Sequence, residues 1–199
     1  MLKSCFHHSV IEAGCDESGR GCLAGPVFAA AVILPPEYAH PELNDSKKLN
    51  EKLRNKLRKE IESVALDWAV YFIDNKRIDK VNILRASIMA MHQALDRLKL
   101  RPDHIIIDGN HFYKYRSVPH QCIIKGDAQY ASIAAASVLA KTHRDEYMLE
   151  LHKNYNYYGW NTNKGYATQE HRMAIERFGI SPYHRRSFSL VVKQLNLYA

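Results

Sequence analysis

Two short apolar runs near the N-terminus enclose an acidic segment that contains glycine, and this arrangement strongly restricts the possible fold. The runs occupy residues 10–16 and 27–34, and the intervening segment begins Asp-Glu-Ser-Gly-Arg-Gly at 16–21. Each run has the length and apolar character of a buried strand. Gly19 and Gly21 allow a sharp turn between the strands, because glycine tolerates conformations that other residues avoid. We therefore predict two neighbouring strands with acidic side chains where the first one ends.

The rest of the chain alternates between apolar runs and amphipathic segments. Apolar periodicity and proline positions predict the remaining elements. We expect strands at 68–73, 104–108 and 119–124, and helices at 50–66, 82–98, 128–153 and 169–178. The helix at 128–153 is rich in alanine, which would let it approach a sheet closely. This order of elements favours an α/β domain with a mixed sheet.

Length and composition favour one globular domain over residues 1–199, with a helical or loop-rich portion from about residue 155. The net charge of +7 suits a nucleic-acid enzyme, although charge that only serves solubility would look the same. The four cysteines form no Cys-x-x-Cys pair, which favours reduced thiols. There is no signal-peptide pattern and no apolar run long enough to span a bilayer. We expect a cytoplasmic protein.

Four carboxylates stand where the predicted strands and the alanine-rich helix begin or end. Asp16 and Glu17 follow the first apolar run, Asp108 follows three isoleucines, and Asp127 precedes the helix. Each has an ordinary alternative: a solvated turn for the first pair, an Asp-Gly turn for Asp108, and a helix N-cap for Asp127. Adjacent acids repel each other unless a cation lies between them. A set of oxygen ligands favours Mg²⁺ or Mn²⁺ over Zn²⁺.

The motifs become specific when they are taken together and in order. They are Asp-Glu-Ser-Gly-Arg-Gly at 16–21, Gly-Pro-Val at 25–27, Asp-Ser-Lys-Lys-Leu at 45–49, Asp-Gly at 108–109, Lys-Gly-Asp at 125–127, Ala-Ala-Ala-Ser-Val-Leu-Ala-Lys at 134–141, Arg-Asp at 144–145, Lys-Gly-Tyr at 164–166 and His-Arg-Arg-Ser-Phe at 184–188. This set resembles the type 2 ribonuclease H family, in particular its bacterial ribonuclease HII branch, over residues 10–188. Cys22 and Ala167 stand where that family often has proline. We expect the ribonuclease HIII branch, which carries a long N-terminal extension, to be the less similar relative.

The resemblance implies a ribonuclease H-like fold, in which helices flank a central mixed β-sheet and a helical C-terminal portion follows. It implies an endonuclease that cuts the RNA strand of RNA–DNA hybrids and the 5′ side of single ribonucleotides in duplex DNA. The four acids of the family fall on Asp16, Glu17, Asp108 and Asp127, which would hold two divalent ions. Its Gly-Arg-Gly element, which senses the ribose 2′-hydroxyl, falls on residues 19–21: Gly19, Arg20 and Gly21. Its junction-reading tyrosine falls on Tyr166.

Four basic side chains are candidates for contacts with backbone phosphates: Lys47, Lys48, Arg185 and Arg186. Solvated surface charge is an equal alternative for each of them. Two other functions remain open. A hybrid-binding module without activity is disfavoured by the intact acid set, and a nuclease that acts on DNA would have no need to sense a 2′-hydroxyl. We expect a monomer.

The C-terminal sequence Gln-Leu-Asn-Leu-Tyr, from Gln194 to Tyr198, is similar to the short peptides with which bacterial replication and repair proteins dock on the sliding clamp. In such peptides leucine and aromatic side chains fill an apolar groove. The alternative, which the pattern favours, is that a final helix packs against the domain through Leu190, Val191, Leu195 and Leu197.

Overall fold

A five-stranded mixed sheet forms the centre of the computed structural model, which describes residues 1–46 and 48–190. The strands are β1 (Glu12–Ser18), β2 (Val27–Ile33), β3 (Asp67–Ile73), β4 (His104–Asp108) and β5 (His120–Ile123). Their spatial order is β3-β2-β1-β4-β5. The pairs β1–β2 and β2–β3 are antiparallel, whereas β1–β4 and β4–β5 are parallel. The predicted mixed sheet is confirmed.

Helices flank the sheet and continue beyond it. They are α1 (Glu51–Val64), α2 (Asn75–Val81), α3 (Ile83–Arg97), α4 (Ala131–Asn154), α5 (Trp160–Asn163) and α6 (Gln169–Phe178). The last two confirm the predicted helical C-terminal portion. Among the described residues, none of the helices combines the length and the apolar character that crossing a membrane requires.

Helix α2 was not predicted from the sequence. Its apolar pattern is short, and Ile78 is its only buried apolar residue. Side chains at its ends define it instead. The Asp74 carboxylate accepts a hydrogen bond from the backbone N–H of Arg77 at 2.7 Å. Asn82 separates α2 from α3 with a φ of 70° and caps α3 by accepting from the N–H of Arg85 at 3.0 Å.

The sheet is buried on both faces. One apolar cluster joins β1, β2 and β4 to α3, and a second joins β2 to α1 and α4. The alanine-rich helix α4 lies very close to β1, because a Cβ on Gly14 would be only 2.3 Å from the carbonyl carbon of Ser132. Successive side chains of a strand point to opposite faces. Ala13 and Cys15 belong to the cluster on the α3 side, so Asp16 points towards α4.

Candidate active site

Three aspartates meet at one edge of the sheet. Asp16 lies near the end of β1, Asp108 is the last residue of β4, and Asp127 lies in the 3₁₀ turn Gly126–Ala128 that follows β5. Because β1, β4 and β5 are parallel, their carboxyl ends lie at the same edge, where ligands gather in open α/β sheets. Each aspartate offers one carboxylate oxygen, and these three oxygens all lie within 4.8 Å of one another.

The backbone holds two of these carboxylates in position. The Asp16 Oδ1 accepts a hydrogen bond from the N–H of Glu17 at 2.6 Å, and the Asp108 Oδ1 accepts from the N–H of Gly126 at 2.7 Å. The second bond links the end of β4 to the turn that carries Asp127. The N-cap alternative for Asp127 is wrong, because α4 begins only at Ala131.

The electrostatics of this group favour a bound cation. Burial raises the pKa of the Asp16 carboxyl well above its usual range, and the neighbouring charges of Glu17 and Asp108 raise it further. Buried like charges are unfavourable until a positive charge lies between them. The donors are all carboxylate oxygens, which suits Mg²⁺ or Mn²⁺ and does not suit a thiol- or imidazole-bound metal. The residues therefore fit divalent metal ions.

Glu17 lies beside this group and not within it. The strand β1 continues to Ser18, two residues beyond its predicted end, so Glu17 points away from the face of Asp16. The Glu17 Oε1 lies 3.2 Å from an Nη of Arg20, and the side chain of Glu17 is 13% exposed. The ligand role of Glu17 stays a prediction.

Two buried guanidinium groups hold the loop that carries the Gly-Arg-Gly element. Arg144 donates to the carbonyls of Pro26, Ala24 and Lys164 at 3.1, 3.1 and 2.8 Å. Arg185 donates to the carbonyls of Gly19, Arg20 and Gly25 at 2.7, 2.9 and 2.9 Å.

The prediction that Arg185 contacts a backbone phosphate is therefore wrong. Its side chain is 0% exposed and its guanidinium is engaged by backbone carbonyls. The equivalent role of Arg144 was missed by the sequence reasoning, although Arg144 belongs to one of its motifs. Because a carbonyl group and the next N–H of a trans peptide point in opposite directions, Arg185 also sets where the N–H groups of Arg20 and Gly21 point.

The fold requires glycine at one of the two glycine positions of this element and not at the other. Gly19 has a φ of 95°, and a Cβ there would lie 2.0 Å from the Nε of Arg144. A side chain at Gly19 would therefore disrupt the loop from within. At Gly21 the backbone has no positive φ, and a Cβ would have nothing within 4 Å. The fold places no internal demand for glycine at position 21.

Tyr166 lies next to this loop. It forms an isolated antiparallel bridge with Cys22, and the N–H of Leu23 donates to the carbonyl of Gly165 at 2.8 Å. Tyr166 is 37% exposed, and the guanidinium of Arg144 lies 5.6 Å from the centroid of its ring. Its side chain lies near that of Ser18, the last residue of β1, so the tyrosine lies close to the strand that carries Asp16. Burial raises the pKa of Tyr166.

The remaining basic candidates are separate from the buried site. Lys48 and Arg186 are exposed on loops, and the backbone N–H of Arg186 donates to Asp79 at 3.0 Å. Their contacts with phosphate stay predictions. Lys47 and the peptide from Gln194 to Tyr198 lie outside the described residues.

Comparisons with known proteins agree on one family. The family model described as ribonuclease HII matches residues 13–191. The chain is 57% identical over 198 residues to ribonuclease HII of Bacteroides thetaiotaomicron, and 58% identical over 197 residues to that of Parabacteroides distasonis. Each alignment covers 99% of both proteins.

Solved structures show the same fold. The chain resembles the ribonuclease HII in a complex with PCNA from Archaeoglobus fulgidus with a TM-score of 0.75 at 24% identity, covering 93% of this chain and 98% of that one. It resembles a Bst ribonuclease HIII in complex with Mn²⁺ with a TM-score of 0.64 at 20% identity, covering 92% of this chain and 68% of that one.

Proposed function

Because this chain belongs to the ribonuclease HII family and is thus a metal-dependent endoribonuclease of type 2, we propose that it cuts the RNA strand of RNA–DNA hybrids and the 5′ side of single ribonucleotides in duplex DNA. The observation that carries the proposal is the convergence of Asp16, Asp108 and Asp127 beside a loop in which the space around Gly21 is free of other protein atoms. The three aspartates support phosphodiester hydrolysis. The loop around Gly21 supports selection for a ribose.

Asp16, Asp108 and Asp127, together with Glu17, would hold two divalent ions, Mg²⁺ or Mn²⁺. When bound, such ions activate water and stabilise the leaving 3′-oxygen. The contribution of the chain is orientation. The N–H groups of Glu17 and Gly126 hold the Asp16 and Asp108 carboxylates before any ion arrives, so little reorganisation is needed.

Selection for ribose would come from the backbone of residues 19–21. Arg185 takes the carbonyls of Gly19 and Arg20 into the interior, which leaves the N–H groups of Arg20 and Gly21 on the opposite side. Neither N–H has an acceptor in the described part of the chain. With no side chain at Gly21, a ribose can approach these donors closely, and its 2′-hydroxyl is the group that distinguishes RNA from DNA. Tyr166 would stack on the sugar next to the ribonucleotide.

A cleavage assay tests the proposal. A duplex with one ribonucleotide, an RNA–DNA hybrid and an all-DNA duplex are incubated with the protein in EDTA, Mg²⁺, Mn²⁺ and Ca²⁺, and the products are mapped. We expect cuts on the 5′ side of the ribonucleotide in Mg²⁺ and Mn²⁺, none in EDTA and few in Ca²⁺, whose looser coordination positions water and phosphate poorly. Binding without cleavage would favour an inactive hybrid-binding module, and equal cleavage of all-DNA duplex would favour a DNA nuclease.

A second proposal concerns a partner, and we infer it from the C-terminal peptide. The relative from Archaeoglobus fulgidus was solved with PCNA, which supports docking of this chain, through the peptide from Gln194 to Tyr198, on a sliding clamp. Tethering would raise the local concentration of the enzyme on DNA. Titration of the last ten residues against the bacterial clamp tests this, with a peptide in which Leu195 and Leu197 are alanine as the control. Equal binding of both peptides, or of neither, contradicts it.

A further inference from the structure

A chain of buried polar groups lies behind Tyr166 and takes no part in the proposed chemistry. His171 is 0% exposed and His184 is 1% exposed, and their Nε2 atoms are 3.2 Å apart. Trp160 donates from Nε1 to the Nε2 of His171 at 3.0 Å. At the other end, the Nδ1 of His184 lies 2.9 Å from both the backbone N and the Oγ of Ser181.

The donors and acceptors in this hydrogen-bonded network determine one protonation state for each histidine. An indole N–H can only donate, so the Nε2 of His171 is an acceptor and its proton is on Nδ1. The Nε2 of His184 faces that acceptor and therefore donates to it. The Nδ1 of His184 then accepts from Ser181. Each accepting nitrogen has one lone pair, which its two donors share, and it keeps that lone pair only when its ring is neutral. Burial lowers the pKa of both rings, to about 4 for His184.

The proton on His171 Nδ1 points at Tyr166. Its acceptor is the backbone carbonyl of Tyr166 at 2.9 Å, and the N–H of Tyr166 donates to the carbonyl of Asn163 at 2.8 Å. The N–H of Thr168 also donates to the Tyr166 carbonyl, at 2.9 Å. The peptide groups on both sides of the tyrosine are therefore held, which restricts the direction of its side chain, and the residue is 37% exposed.

The same segment reaches the Gly-Arg-Gly loop. His184 pairs with Ala24 in an isolated bridge, and the next residue, Arg185, holds the carbonyls of Gly19 and Arg20. The dipeptide of His184 and Arg185 thus connects the tyrosine and the loop through buried hydrogen bonds.

We propose that His171 is a positioning residue, which aims the Tyr166 ring at the substrate through its hydrogen bond to the Tyr166 carbonyl while His184 keeps it in the required tautomer. The proposal rests on the proposed function, because it assigns to Tyr166 the reading of the ribonucleotide junction. His171 is 0% exposed and lies outside the aspartate cluster, so its effect on the substrate would be transmitted by the tyrosine.

Two isosteric substitutions separate positioning from simple packing. The amide of asparagine lies as far from Cβ as the Nδ1 of histidine, so His171→Asn keeps a donor for the Tyr166 carbonyl and loses the inner acceptor. The amide of glutamine reaches the position of Nε2, so His171→Gln keeps an acceptor for Trp160 and His184 and loses the donor to Tyr166. Both variants lose part of the buried network, which makes each the control for the other.

The readout is the ratio of kcat/KM on a single-ribonucleotide duplex to kcat/KM on an RNA–DNA hybrid, measured beside Tyr166→Ala and with the melting temperature of each variant. We expect His171→Gln to lower this ratio about tenfold, in the direction of Tyr166→Ala, and His171→Asn to keep it within about threefold even if it is less stable. An equal change in both variants, or a normal ratio in a folded His171→Gln, overturns the inference.

A second readout does not depend on activity. The aromatic ¹H–¹³C signals of Tyr166, assigned with Tyr166→Phe, should shift in His171→Gln and stay near their original positions in His171→Asn. If Tyr166→Ala leaves the substrate ratio unchanged, the junction role of the tyrosine is wrong, and these signals alone decide the positioning role. Equal shifts in both variants would then refute it.

Discussion

Replacing Asp16 with asparagine should abolish catalysis and at the same time stabilise the metal-free protein. The carboxylate oxygens of Asp16, Asp108 and Asp127 lie within 4.8 Å of one another, so two ionised groups repel by about 3.5 kcal/mol at an effective dielectric constant of about 20. Proton uptake by Asp16 relieves part of this repulsion, because burial and the charges of Glu17 and Asp108 raise the pKa of Asp16. We expect a net gain of about 1–2 kcal/mol in the free energy of unfolding, since the substitution removes only the remaining repulsion.

Asparagine fits the local hydrogen bonds. Its Oδ1 can accept from the N–H of Glu17, as the carboxylate of Asp16 does at 2.6 Å. Its amide N–H can donate to the hydroxyl of Ser137, which lies near Asp16 and is 2.8 Å from the Oγ of Ser46. No buried group is left unpaired, so the electrostatic gain should not be cancelled by lost hydrogen bonds.

Thermal unfolding in EDTA and in Mg²⁺, at pH 8, measures the effect together with cleavage. The gain corresponds to about 2–8 °C in melting temperature for a chain of this size. Mg²⁺ should stabilise the original protein and should not stabilise the variant. Cleavage should fall more than about a hundredfold, because even the outer partners of metal ligands typically cost 10–100-fold.

Asp103→Asn is the matched control. Asp103 is an exposed acid that also accepts a backbone hydrogen bond, from Ile11 at 3.0 Å, but lies outside the cluster. It should keep both cleavage and the response to Mg²⁺. A less stable Asp16→Asn protein in EDTA, or one that still cleaves at near-normal rates, would refute the argument for a repulsive metal site.

Three further perturbations test the neighbouring parts of the site. Gly21→Ala should leave the melting temperature nearly unchanged and reduce cleavage of ribonucleotide substrates, because the added methyl group meets open space in the protein and occupies the path by which the ribose approaches. Gly19→Ala should also destabilise the fold. Equal melting temperatures for the two variants would contradict this. Tyr166→Ala should impair cleavage at a single ribonucleotide more than cleavage of an RNA–DNA hybrid, and equal losses would assign the tyrosine to general binding or folding. His184 has a folded-state pKa of about 4 against an ordinary 6.5, so the unfolded chain binds the proton more readily between these values. The free energy of unfolding should therefore be intact above about pH 6.5 and fall by up to about 3 kcal/mol as the pH approaches 4, which denaturant unfolding can measure. A His184→Asn variant whose free energy of unfolding depends on pH in the same way would show that other groups cause the loss.

Local patterns were sufficient for most of the secondary structure. Strand β4 ends at Asp108 as predicted, because three consecutive isoleucines followed by Asp-Gly have few other stable arrangements. The alanine-rich segment forms α4, although three residues later than predicted, since the turn Gly126–Ala128 precedes it. Helix α2 could not be found by periodicity, because its ends depend on the capping side chains of Asp74 and Asn82.

The sequence by itself identified the acids and the glycines as candidates, because strand ends and flexible turns are encoded by neighbouring residues. Tyr166 became a candidate only through the resemblance to the family. Only the tertiary structure decided which acids meet, since the convergence of Asp16, Asp108 and Asp127 depends on the parallel pairing of strands distant in sequence. It also decided that Arg185 is an interior support and not a phosphate contact. A charged side chain is normally expected at the surface, and the carbonyl groups that compensate its burial come from a loop about 160 residues earlier in the chain.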